Sequence, residues 1–183
     1  MEIVPLEIGD VKLVKAKRFN DARGFFSEVY KQSAFAEAGL PIEFVQDNHS
    51  RSTRAGTVRG LHFQLPPFAQ AKLVRVTRGR ILDVAVDVRR TSPTFGRHVA
   101  VELSEENWLQ LLVPVGFAHG FCTLEPDTEV LYKVSAVYAP QCDAGILWND
   151  PDLGITWPVD ARSALVSDKD RGLPRLKDAR VLF

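Results

Sequence analysis

The sequence predicts an all-β fold, a sandwich or barrel of short antiparallel strands. Three observations lead there. The dominant apolar period is two rather than 3.6. Turn signals interrupt it at intervals of roughly 8–12 residues. Only one stretch of the 183 residues carries helical spacing.

In chain order, VKLVKAK (11–17) and FFSEVY (25–30) alternate as strands, with Arg23-Gly24 as a turn between them. KQSAFAEAGL (31–40) is the predicted helix, with Ser33 as N-cap and Gly39 at its end. IEFVQ (42–46) returns to strand. TVRGLHFQLPPFAQAKLVRV (57–76) reads as two adjacent short apolar strands joined by a proline loop. ILDVAVDV (81–88) puts Leu82, Val84, Val86 and Val88 on one face and Asp83, Ala85 and Asp87 on the other. HVAVEL (98–103) and WLQLLV (108–113) flank the turn Ser104-Glu105-Glu106-Asn107. EVLYKVSAVY (129–138) groups Val130, Tyr132, Val134, Ala136 and Tyr138 before Ala139-Pro140. From about residue 149 a Pro- and Asp-rich tail reads as loop and packed extension. No repeat or linker divides the chain, so residues 1–183 are expected to form a single domain.

Composition narrows the partners. Lys plus Arg and Asp plus Glu each number 23, for a formal net charge of zero. That argues against a nucleic-acid or anionic-membrane partner. Cys122 and Cys142 have neither zinc nor C-x-x-C spacing and are expected to be free thiols in a reducing cytosol. MEIVPLEIGD carries acids where a signal peptide carries bases, and no run approaches ~18 consecutive apolar residues. A cytoplasmic location is the expectation.

Arg59, His62 and Lys72 are the wrong residues for a plain apolar wall, and suited to holding an anion and moving a proton. Lys72 shares parity with Val74 and Val76, so it either turns inward or reaches water from the strand's entry. Arg59 and His62 differ by three, which sends them to opposite faces of a regular strand. A bulge at Gly60 would bring them together. Inward tyrosines and a lone His119 among apolar residues are usually core groups, and Asp170 in VSDKD reads from composition as a solvated tail charge, with a histidine-orienting carboxylate as the alternative.

PVGFAH resembles the second motif of cupins, small double-stranded β-barrels that often hold a metal. The first metal motif fails here, because His62-Phe63-Gln64 lacks its second histidine; His49, His62, His98 and His119 are the only four. No metal is expected.

Taken together, RGFFSEVY (23–30), FVQDNHS (44–50), VRGLHFQLPPFAQAKLVRV (58–76), DVAVDVRRTSPTFGRHV (83–99), GFAHGF (116–121), EVLYKVSAVYAP (129–140), ILWNDPDLGITWP (146–158) and SDKD (167–170) resemble the dTDP-4-dehydrorhamnose 3,5-epimerase family. The resemblance implies a cupin-like double-stranded β-helix (jelly-roll barrel) with a strand extension near the N-terminus. It implies epimerisation at C3 and C5 of dTDP-4-dehydro-6-deoxy-D-glucose without metal or cofactor. His62 would be the base, Asp170 its orienting carboxylate, Lys72 the enolate stabiliser and Tyr132 the acid. Arg23, Arg59, His119 and Lys169 would meet phosphate and sugar. Phe26, Glu28, Gln46 and Asn48 would meet the thymidine end, and Tyr138 would line the pocket. Asp143 stands where relatives often carry glutamate, leaving its binding role open. A homodimer is implied, with the Arg23 to Glu28 segment reaching the partner's site. A mono-epimerase acting at C3 or C5 alone, or a non-catalytic sugar-nucleotide-binding cupin, are the alternatives.

Overall fold

The computed structural model describes residues 1–179 and 183. Its strands are β1 (Glu2–Pro5), β2 (Lys12–Lys15), β3 (Arg18–Asp21), β4 (Gly24–Ser27), β5 (Gln46–Ser52), β6 (Val58–Gln64), β7 (Lys72–Arg78), β8 (Arg80–Asp87), β9 (His98–Ser104), β10 (Leu109–Val113), β11 (Phe117–Thr123), β12 (Thr128–Val134) and β13 (Asp143–Gly145). Two short α-helices, α1 (Gln32–Glu37) and α2 (Asp168–Arg171), accompany them. One sheet runs β1-β2-β10-β7-β12-β5 and a second runs β13-β6-β11-β8-β9; β3 and β4 form a separate hairpin. Neighbouring strands pair antiparallel, and the order within each sheet is not the order in the chain. This is the two-sheet jelly-roll arrangement that the sequence predicts.

Apolar residues fill three layers. Between the sheets, Val74, Val76, Leu111, Val113 and Val130 meet Ile81, Ala85, Leu103, Phe117 and Phe121. Behind the six-stranded sheet, Val14, Leu73 and Leu112 are covered by Phe35 of α1, with Tyr30 and Phe44 beside it. Behind the five-stranded sheet, Leu61, Phe63, Val84, Val86 and Ala118 are covered by Leu153 and Leu176 of the tail. Each such side chain contributes roughly 1.5–3 kcal/mol when fully buried. The tail is therefore a packed layer, not a loose end. Asp150, almost fully buried, fixes its return by accepting the backbone N–H of Leu176 at 2.8 Å.

Several sequence expectations shift. Residues 57–76 do form two strands, but β6 and β7 belong to different sheets and face each other across the interior. IEFVQ is not a strand: Ile42 and Phe44 pack over Phe35, and the strand starts at Gln46. FFSEVY is strand only to Ser27, VKLVKAK only over Lys12–Lys15, and EVLYKVSAVY only to Val134. The helix begins at an extended Lys31 whose side chain makes no capping bond, so Ser33 lies inside it and is not the cap. Gly39 ends it as expected, with φ +75°. Strand β8 keeps its predicted parity, yet both of its faces are buried: Asp83 and Asp87 have no exposed surface. Among the described residues, no helix is long and apolar enough to cross a membrane.

Candidate active site

The site forms where a local irregularity in β6 meets the opposite sheet. In the β6–β11 ladder His62 pairs with His119, while Arg59 pairs with Phe121. Three steps along β6 thus match two along β11, which is the extra residue of a bulge. Gly60 supplies it, at φ +122°. A Cβ there would lie 2.6 Å from the Gly120 Cα, and a Cβ on Gly120 would lie 2.5 Å from the Arg59 carbonyl oxygen. Neither position has room for a side chain. Arg59 and His62 consequently line one cavity of about 500 Å³, together with Lys72, His119, Tyr132, Lys169 and Asp170. The bulge predicted from the spacing of Arg59 and His62 is present.

Asp170 is buried, and its Oδ1 lies 2.7 Å from His62 Nε2. Its other oxygen accepts the Gly60 backbone N–H at 3.1 Å, so the bulge and the dyad are built together. Ser167 caps α2 by accepting the Asp170 N–H, which fixes where the carboxylate points. Burial alone would raise the Asp170 carboxyl, but hydrogen bonds from His62 and Gly60 outweigh it and hold the group below its ordinary value. An ionised carboxylate on one ring nitrogen leaves the other as the basic atom.

Lys72 turns inward. It is 8% exposed and donates to the His62 carbonyl at 3.1 Å. Burial pushes its ammonium down to about 8, with the charges of Asp83 and Asp143 partly resisting. Tyr132, from β12 of the same sheet, lines the cavity beside it. Burial raises the Tyr132 hydroxyl above its ordinary value, against the opposing charge of Arg59. It is therefore protonated at neutral pH.

His119 does not stand alone: its Nε2 lies 2.6 Å from Asp83 Oδ1, and both are buried. Among the described residues, the second Asp83 oxygen is buried without a hydrogen-bond partner. This acid is not singled out in the sequence, where it is one residue on the β8 face opposite Val84 and Val86. Two carboxylates on a strand without a turn, each requiring a partner once buried, were the available signal.

A second lobe of about 280 Å³ shares His62, Lys72, Tyr132 and Lys169, and adds Gln46, Asn48, Gln64, Tyr138 and Asp143. Gln46 donates to Asn48 at 2.8 Å and accepts the Tyr138 backbone N–H at 3.1 Å. Asp143 is held by Lys169 and by the Tyr138 hydroxyl, so it sits among the expected binding residues. Arg59 donates to Ser52 Oγ and the Arg51 carbonyl, both at 3.2 Å, which steadies its guanidinium.

Arg23, Phe26 and Glu28 line neither lobe. They lie on or just after the β3–β4 hairpin, where Arg23 pairs with Asp21 and Phe19, Phe25 and Phe26 are about half or more exposed. Cys122 and Cys142 are buried free thiols, and burial pushes Cys122 up to about 11.

A family model described as dTDP-4-dehydrorhamnose 3,5-epimerase matches residues 5–178. The chain belongs to that family. The epimerase of Sinorhizobium fredii is 52% identical over 178 residues, covering 97% of this chain and 91% of its own. A crystal structure of the Bacillus anthracis epimerase, with TDP and PPi bound, superposes with TM-score 0.92 at 50% identity, covering 95% of this chain and 98% of that one. The Legionella pneumophila epimerase, solved with dTDP-4-keto-L-rhamnose, gives TM-score 0.91 at 41% identity, covering 96% and 93%. The likeness to these epimerases spans both lobes and the tail that brings Asp170.

Proposed function

We infer that the protein epimerises C3 and C5 of dTDP-4-dehydro-6-deoxy-D-glucose, giving dTDP-4-dehydro-L-rhamnose. The observation carrying this reading is the His62–Asp170 pair opening into one cavity with the buried ammonium of Lys72. Both carbons flank the C4 ketone, so their protons are acidic. His62 takes the proton, the C–H electrons move onto the C4 oxygen, and Lys72 stabilises the enolate. Tyr132 then returns a proton to carbon from the other face. Arg59, Lys169 and His119 bind diphosphate and sugar, while Gln46, Asn48, Tyr138 and Asp143 serve the nucleotide.

In this reading residues 1–183 act as one cytoplasmic domain and pair as a homodimer. The exposed Phe19, Phe25 and Phe26 are the support for pairing. The hairpin would carry Arg23, Phe26 and Glu28 to the partner's nucleotide lobe. Sedimentation at twice the 20.4 kDa chain mass is expected; a monomer at micromolar concentration would overturn the exchange.

Turnover in D₂O decides the reaction. Deuterium is expected at both C3 and C5 of the product. Uptake at only one carbon would make the protein a mono-epimerase, and none at either would leave only a binding function.

A further inference from the structure

Leu165 is 41% exposed although its backbone is pinned on both sides. Its N–H donates to the Gly56 carbonyl at 2.9 Å, and its carbonyl accepts the Val58 N–H at 2.9 Å. Its neighbours Ala164 and Val166 are buried in a cluster with Trp148 and Cys122. Strand-like alternation therefore turns Leu165 the other way, into the wall of the larger lobe, across the same cavity as His62. Phe121, from the layer between the sheets, lines that lobe too. Val58 and Val166 also border it, but their side chains belong to the outer cluster.

We propose that Leu165 and Phe121 form the apolar subsite that receives the C6 methyl of the substrate and discriminates against a 6-hydroxyl. The inference rests on the epimerase reading, because the methyl hangs from C5 and C5 must lie within reach of His62. Two lobes share His62. The smaller one presents Gln46, Asn48, Gln64, Gln70 and Asp143, which suit polar atoms. The larger one alone offers apolar side chains free of the outer clusters, and the methyl belongs there. A hydroxyl set against Leu165 and Phe121 would lose water on that side and gain no partner from either side chain.

The test compares dTDP-6-deoxyglucose with dTDP-glucose, ligands that differ only at C6, by calorimetric titration. The native protein is expected to bind the 6-deoxy ligand about tenfold more tightly, within the range that apolar pockets achieve. Leu165→Ser, at a half-exposed position that the fold tolerates, is expected to shrink that ratio to about twofold while dTDP alone binds as before. Leu165→Met is expected to keep it. An equal preference in native protein and Leu165→Ser would overturn the subsite, as would a matching loss of dTDP affinity, which would assign Leu165 to the nucleotide. Failure of the reaction itself would show as absent deuterium exchange with the C6 preference intact, so the two failures are separable.

Discussion

His62→Ala is expected to lower turnover by roughly 10²–10⁴, the usual contribution of a positioned general base. Deuterium exchange should fall at both carbons alike if His62 serves both, since the cavity's other imidazole, His119, is buried against Asp83. Affinity for dTDP should stay within about twofold, because in the proposed mechanism the ring acts on the sugar and not on the nucleotide. Stability should fall by about 1–3 kcal/mol, the cost of leaving a buried acceptor short of a partner, although the His62 side chain itself is about one-third exposed. The variant does leave Asp170 buried with one hydrogen-bond partner fewer, though the Gly60 N–H remains. Near-normal exchange at either carbon would remove His62 from the role of sole base.

Lys72→Met separates catalysis from stability. Loss of the cation proposed to meet the developing enolate is expected to cut kcat by about 10²–10³. The same change removes a charge that the fold buries at a cost. The Lys72 ammonium falls from its ordinary 10.5 to about 8, so in the folded protein it is lowered by burial. Between pH 8 and 10.5 the unfolded chain binds more protons than the folded one, and stability rises with pH across that window. Below pH 8 the full penalty stands, at roughly 3 kcal/mol, reduced by the hydrogen bond from Lys72 to the His62 carbonyl. Lys72→Met should therefore melt higher than the native protein at pH 7, with the difference vanishing near pH 10.5. Native kcat should fall as pH rises through about 8. A variant that melts lower at pH 7 would contradict the penalty, and a flat native kcat from pH 7 to 9 would contradict the need for charge.

The legible parts of the sequence were those in which one residue contradicted its surroundings. Arg59, His62 and Lys72 on apolar strands marked the cavity, and the three-residue offset between Arg59 and His62 required the bulge that Gly60 supplies. Strand β8 was legible in parity but not in burial, because period two cannot tell a solvent face from a second packed face. That is why Asp83 was overlooked. Strand β5 was missed for the opposite reason: QDNHSRS has no apolar face, since Gln46, Asn48 and Ser50 line the lobes and Asp47, His49 and Arg51 meet solvent. The assignment of β6 and β7 to opposing sheets depends on long-range pairing that no local pattern encodes. The burial of Asp170 likewise depends on the tail packing behind the five-stranded sheet. The roles implied by the family resemblance fell into two groups, with most residues in the two lobes and Arg23, Phe26 and Glu28 out on the hairpin.

Asp170 reaches His62 across 108 residues of chain. The barrel strands all precede it, so the strand carrying His62 is synthesised well before the residue that holds its ring. Contacts of that separation form late, after the entropy of closing the loop has been met. Activity is then a signature of the finished molecule, while β-sheet content is not. A chain whose tail has yet to dock would leave Leu61 and Phe63 uncovered and His62 without its carboxylate partner. In the proposed mechanism, residues 167–170 thus complete the dyad only when the tail is in place.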